Sequence, residues 1–253
     1  MDLKIESTIT LNNGNKIPVI GLGLFQSESG QTAKQAALWA LEAGYRHLDT
    51  AAVYGNEKDG YESTLKAADT SLKNLQSGYI DLLLIHSPLP GPQKRAETYK
   101  ALQELVKRGL VKSIGVSNYG VKHLQELLDS NPEIKPAINQ VEIHPWLARS
   151  DIVSFCNKHN IVVEAYSPLT RGKKLNDPTL TGIANKYGKK TPAQILVRWG
   201  LQHNFVTIPK STKLERINEN ANVFDFEIKQ SDMETLDGLD EYLVVSWDPT
   251  VAE

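Results

Sequence analysis

The chain has 253 residues, 40% of them hydrophobic, enough for one large core. A formal net charge of -2 and a pI of about 6.3 leave no electrostatic footprint for nucleic acid or an acidic membrane surface. A single cysteine excludes an internal disulfide, no apolar run is long enough to span a membrane, and residues 1–10 have no apolar signal-peptide core, so the cytosol is the expected compartment.

In chain order, two β-like runs in residues 7–19 flank an Asn/Gly turn and predict a hairpin. Residues 19–25 form a short apolar strand. Ala33, Ala36, Ala37, Ala40 and Leu41 have helical spacing and predict a helix over 32–44, with Gly44 as its stop. Tyr45 to Asp49 is a second strand, which runs into a polar loop ending at Glu57. Helices over 63–75, 95–108, 121–128 and 151–159 then alternate with strands over 80–85, 111–116, 137–143 and 161–166. Two helices, 180–187 and 192–201, precede a strand at 205–208 and a helix at 213–220. Thr191-Pro192-Ala193-Gln194 reads as a capping box with proline at the first helical position, and Ser231-Asp232-Met233-Glu234 reads as a second box opening the last helix. Cys156 falls on the buried face of its helix and reads as a small core hydrophobe rather than a nucleophile.

Strands alternating with helical crossovers imply parallel pairing, and Val/Ile/Leu-rich strands suit burial on both faces. No linker interrupts the pattern, so residues 1–253 read as one α/β domain. Its sheet is either open and doubly wound or closed into a (β/α) barrel. Gly21-Leu22-Gly23-Leu24-Phe25-Gln26 lacks the third glycine of a dinucleotide fingerprint, and no helix follows at once. Strand after strand instead ends in polar residues: Asp49 and Tyr54, His86, Ser117 and Asn118, Gln140, Tyr166 and Ser167, Lys210 and Ser211. A barrel gathers such ends on one rim, where active sites sit. The count is one strand short of eight, because only Lys58-Asp59-Gly60 separates Glu57 from Tyr61.

Four segments carry a family resemblance. Leu48-Asp49-Thr50-Ala51-Ala52-Val53-Tyr54-Gly55-Asn56-Glu57, Gly115-Val116-Ser117-Asn118-Tyr119, Asn139-Gln140-Val141-Glu142-Ile143-His144-Pro145 and Ile208-Pro209-Lys210-Ser211-Thr212 onward to Asn220 resemble signatures of the aldo-keto reductases. The match runs in order from Ile5 to Trp247. The resemblance implies a (β/α)8 TIM barrel with an N-terminal β-hairpin, using NADPH to reduce aldehydes or ketones, and a monomer. It implies that Tyr54 is the proton donor, that Asp49 tunes it and that His86 orients the carbonyl. Ser117, Asn118 and Gln140 would bond the nicotinamide carboxamide, and Tyr166 would stack on its ring. Ser167 and Leu169 would pass the pyrophosphate. Lys210, Ser211 and Arg216 would hold the 2′-phosphate, and Glu219 and Asn220 would contact adenine. Phe25, Trp146 and Trp247 are either walls of a pocket for apolar carbonyls or packing residues.

The chain departs from the family in one respect. The pattern's fourth catalytic member, a lysine near the end of the third barrel strand, has no counterpart. The strand-helix segment that would carry it, roughly thirty residues for a strand and its crossover, is missing between Asp59 and Gly60. A second reading is therefore a catalytically impaired NADP(H)-binding module of the same fold. No metal site is expected, since His86, His144 and the carboxylates form neither H-x-H nor H-E-x-x-H.

Overall fold

The structure, a computed structural model, describes residues 3–28, 30–51 and 60–253. It opens with β1 (Thr8–Thr10) and β2 (Lys16–Pro18), which pair antiparallel with Ile9 opposite Ile17. This hairpin seals one end of the sheet. Leu11 and Ile17 are buried with Ala137, Ile138, Val206 and Ile208. Asn12 Nδ2 donates to Pro136 O at 2.8 Å and Asn13 Nδ2 to Ser113 Oγ at 3.0 Å, both near strand beginnings.

The alternating pattern follows: β3 (Leu22–Gly23), α1 (Gln31–Glu42), β4 (Leu48–Asp49), α2 (Tyr61–Leu75), β5 (Ile80–Ile85), α3 (Pro92–Lys107), β6 (Val111–Ser117) and α4 (Val121–Asp129). Next come β7 (Ile138–Glu142), α5 (Ser150–Lys158), β8 (Val162–Tyr166), α6 (Pro178–Lys186), α7 (Pro192–Gln202), β9 (Val206–Thr207), α8 (Leu214–Ala221) and α9 (Gln230–Asp237). Strands β5 to β9 form one parallel sheet in sequence order, and β3 and β4 pair parallel. Isolated parallel bridges from Ile20 to Thr207 and from Gly23 to Lys210 join β3 to β9. The wall therefore runs β4-β3-β9-β8-β7-β6-β5. Among the described residues its two ends, β4 and β5, do not pair with each other. The end position shows in burial: Leu82, Leu83 and Leu84 of β5 are half-buried, whereas β6 is buried at all but one position. The junction of Asp59 with Gly60 and the donor candidate Tyr54 lie outside the described residues.

Local chemistry sets the helix ends. Thr191 caps α7: Gln194 N donates to its Oγ1, Thr191 N donates to Gln194 Oε1 at 2.9 Å, and Pro192 fills the first helical position. The box expected at Ser231 does not form. α9 starts two residues earlier, with Lys229 rather than Ser231 as its cap, and Lys229 N donates to the Tyr187 hydroxyl at 2.7 Å. α3 also starts before the expected 95, because Pro92 is accommodated in the first turn. The main core packs the outer faces of β5 to β8 against α3 to α7, with Leu102, Leu124, Ile152, Leu180 and Leu196 among its buried residues. Cys156 lies within it, fully buried, and burial pushes its thiol up to about 12. No helix among the described residues is long and apolar enough to cross a membrane.

Candidate active site

Pleating decides which side chains face the inside of the wall. Alternate residues of a strand share a face, so His47 pairs with Asp49, Ile138 with Gln140, and Glu164 with Tyr166. These inward faces meet. Gln140 Nε2 donates to Asp49 Oδ1 at 3.0 Å and to Glu164 Oε2 at 3.1 Å. His47 Nε2 lies 3.3 Å from Glu164 Oε1. Glu164 is fully buried, and that burial, with the nearby Asp49 charge, raises its pKa against the opposing bond from Gln140. Burial lowers the pKa of His47, and Asp49 partly offsets this.

A second set of bonds joins the strand ends. The Ser117 hydroxyl donates to Gln140 O at 2.9 Å, and Asn118 N donates to the same oxygen at 2.8 Å. Asn118 Nδ2 donates to His86 O at 2.9 Å and to Ser117 Oγ at 3.1 Å, while its Oδ1 accepts from the Tyr166 hydroxyl at 2.8 Å. Burial first, and then the Glu142 charge, hold the Tyr166 phenol well above its ordinary value. Asn118 and Ser167, each just past a strand, adopt left-handed backbone with φ of 61° and 50°. Such conformations in non-glycine residues cluster at ligand clamps. One connected rim therefore gathers Asp49, His86, Ser117, Asn118, Gln140 and Tyr166.

The remaining candidates flank this rim. Leu169 is half-buried between the main core and the cluster around Ile20. Gly23 N donates to Pro209 O at 3.1 Å, which draws Lys210 onto the end of β3. A Cβ on Gly23 would stand 3.1 Å from Ile208 O, so this approach favours glycine. Ser211 Oγ accepts from Lys213 N at 3.1 Å in the turn before α8. Lys210 and Arg216 are exposed and form no ion pair among the described residues. Glu219 accepts a short bond from the Thr191 hydroxyl. Asn220 is buried and its Nδ2 has no protein partner among the described residues.

The aromatic candidates divide. Phe25 and Trp247 are partly exposed at 37% and 36%. The Arg171 guanidinium lies 5.9 Å from the Phe25 ring centre, and Trp247 meets His86 edge-on at 5.9 Å. Trp146 is instead 2% exposed within the main core, where Glu241 N and Leu243 N both donate to its carbonyl, so its place is in the packing.

Sequence reasoning assigned no role to the groups beneath and beside the rim. Glu142, 1% exposed, accepts from Val245 N at 2.7 Å and Ser246 N at 3.0 Å and so pins the stretch that carries Trp247. Arg149 reaches Asp248 in a bidentate pair at 2.8 and 3.2 Å and also bonds Tyr242 and Thr250. The available signal was a carboxylate in an otherwise apolar strand, at Glu142 and again at Glu164. Among the described residues no group of three or more His, Cys, Asp or Glu could hold a metal ion.

Known proteins resemble this chain over most of its length. The model of the aldo/keto reductase family matches residues 56–241. The chain is 44% identical to an uncharacterised oxidoreductase, YtbE, of Bacillus subtilis strain 168 over 98% of each chain. It is 43% identical to the glyoxal reductase of the same organism over 95% of each. A Gox0644 variant, solved in complex with NADPH, is 35% identical and superposes with a TM-score of 0.92, covering 98% of this chain and 99% of that one. The fold is a (β/α)8 barrel. The alignment to YtbE runs over 279 positions against the 253 residues here, so that relative carries a stretch with no counterpart in this chain.

Proposed function

This chain belongs to the aldo/keto reductase family, and we propose that it is an NADPH-dependent reductase of small aldehydes or ketones. The observation that carries the reading is the single hydrogen-bonded rim linking Asp49, Gln140, Ser117, Asn118, His86 and Tyr166. Solved relatives bound to NADP or NADPH support the choice of cofactor. So do features of the chain itself. The two exposed cations Lys210 and Arg216 suit a phosphate dianion. The buried Nδ2 of Asn220, without a partner among the described residues, suits a ligand acceptor.

When bound, the cofactor supplies a hydride to the carbonyl carbon. As negative charge grows on the carbonyl oxygen, Tyr54 gives it a proton and His86 donates a hydrogen bond to it. Asp49 sets the electrostatic surroundings of Tyr54. Ser117, Asn118 and Gln140 hold the carboxamide, and Tyr166 lies against the nicotinamide ring. Ser167 and Leu169 pass the pyrophosphate. Lys210, Ser211 and Arg216 take the 2′-phosphate, while Glu219 and Asn220 border the adenine. Phe25 and Trp247 present rings to an apolar carbonyl substrate, with Trp146 packed behind. The protein works as a monomer in the cytosol.

The test is NADPH oxidation with a simple aromatic aldehyde. Tyr54→Phe should lower kcat by about 100-fold or more, the contribution of a positioned proton donor. Unchanged turnover in that variant would overturn the assignment. The uncounterparted stretch of the relatives, together with the unpaired ends β4 and β5, favours a second reading: a module that binds NADPH and turns over poorly. Tight cofactor binding without aldehyde reduction in the unmodified chain would select it.

A further inference from the structure

The wall is open between β4 and β5, and both facing edges carry backbone groups with no partner among the described residues. Which groups of β5 face the opening follows from its neighbours. Ala137 N donates to Ile114 O and Asn118 N to Gln140 O, both at 2.8 Å, so Ile114, Val116 and Asn118 turn their backbone groups toward β7. Ser113, Gly115 and Ser117 between them serve β5, where the register places their bonds on Asp81, Leu83 and Ile85. The N–H and C=O groups of Leu82 and Leu84 therefore point into the opening. β4 is alike: His47 O and Asp49 O accept from Leu22 N and Leu24 N, which leaves the Leu48 N–H and C=O on the open side.

Leu82 and Leu84 are half-buried, and backbone groups withdrawn from water are almost always paired. A bare edge is also a template for another strand. The wall runs β4-β3-β9-β8-β7-β6-β5, seven strands among the described residues, one short of the eight of a closed barrel. The opening therefore takes one strand, with a bare edge on each side of it. Its lining sets the occupant's chemistry. The Leu82 and Leu84 side chains pack toward the cluster of Ile138 and Ile208, and the Leu48 side chain is 38% exposed on the outer face. Leu48, Leu82, Leu83 and Leu84 bring no charge, so the matching strand is uncharged and apolar on both faces. A second copy that laid its β5 along this one would pair Leu82 and Leu84 but leave Leu48 bare, so it fits the opening less well than a single strand does.

We propose that the opening between β4 and β5 is a docking site for an extended, uncharged, Val/Ile/Leu-rich segment of another protein, which enters as a strand and bonds the backbone of Leu48 on one side and of Leu82 and Leu84 on the other. Main-chain bonds hold the segment, and its alternate side chains fill the two apolar faces. Asp49 ends β4 and His86 follows β5, so the docking site abuts the rim.

The experiment uses the unmodified, 15N-labelled chain and a fluorescent peptide of about five alternating valine and isoleucine residues, the length of a common strand. A pair of lysines at each end keeps the peptide soluble, and a twin peptide has proline in place of the central residue. Fluorescence anisotropy should show the first peptide binding at least about tenfold more tightly than its twin, which lacks a donor and clashes in a ladder. At saturation, amide exchange at Leu48, Leu82 and Leu84 should slow by at least about tenfold, while Leu83 and Ile85, already bonded to β6, keep their rates. Absence of binding, equal binding of the twin, or unchanged exchange at those three amides overturns the proposal. So does exchange at Leu82 and Leu84 that is as slow as at Leu83 before peptide is added. The edge is then already covered, by a second copy if light scattering gives a dimer's mass and by the chain itself if it gives a monomer's. None of these readouts uses NADPH or an aldehyde, so the proposal and the reductase reading stand or fall separately.

Discussion

Replacing Asp248 with alanine tests how the stretch carrying Trp247 is held to the barrel. Arg149 is 3% exposed at its side chain and Asp248 17%, and two of the four hydrogen bonds from the guanidinium go to that carboxylate. The alanine variant leaves the Arg149 charge buried with only the Tyr242 and Thr250 hydroxyls. Breaking a buried ion pair from one side costs about 3–5 kcal/mol, and the partial exposure of Asp248 places this case near 3. For a chain of this size that is a fall in Tm of roughly 6–12 °C. Thermal unfolding followed by circular dichroism reads it directly. Replacing both partners, as Arg149→Met with Asp248→Ala, should recover at least about half of the loss, because no charge is then stranded. The same pair has a pH signature. Burial pushes the Asp248 carboxyl up, but bonds from Arg149, Thr250 and Tyr242 outweigh it and leave the carboxyl below its ordinary value. The folded-state pKa is depressed, so this stabilisation is present above the unfolded value of about 4 and fades as pH falls below it. A change in Tm under 2 °C for Asp248→Ala, with no difference between pH 7 and pH 3 relative to the unmodified chain, would refute the reasoning.

Two further outcomes are expected. Gly120→Ala should loosen the same stretch from the other side, since the added Cβ would meet Thr250 O at 2.1 Å, and limited proteolysis near Thr250 should speed up while the Tm falls. In native buffer the Cys156 thiol should resist an aromatic disulfide reagent for hours and react fully once denaturant is added, because burial both covers it and suppresses its thiolate.

Much of the scaffold was legible because it is written in local terms. Helical spacing of alanines and leucines, short Val/Ile/Leu runs and the Thr191 box each depend on neighbours within a turn or two, and each matches an observed element. The gathering of strand-end polar residues on one rim was also foreseeable, since parallel pairing alone brings Asp49, Ser117, Gln140 and Tyr166 to the same side. The failures have physical causes. Ser231 heads a run with the right spacing for a cap, yet the helix starts two residues earlier, where Lys229 N bonds the Tyr187 hydroxyl. The pairs Glu164–His47 and Arg149–Asp248 unite residues distant in sequence, so no local pattern announces them. Trp146 could be placed as wall or packing only once the segment bonding its carbonyl was in position.

The closure of β3 onto β9 also bears on the order of folding. Ile20 must find Thr207, and Gly23 must find Lys210, from opposite ends of the sequence. Contacts so remote carry a large loop-closure cost and form slowly, after the sequential pairing of β5 to β9 has reduced the search. The phosphate-binding candidates Lys210 and Ser211 ride on that last seam. A partly folded chain can therefore assemble the rim around Gln140 and Tyr166 while still lacking the place where Lys210 belongs, and refolding followed by hydrogen exchange should show Gly21 and Gly23 gaining protection after Leu83 and Ile114.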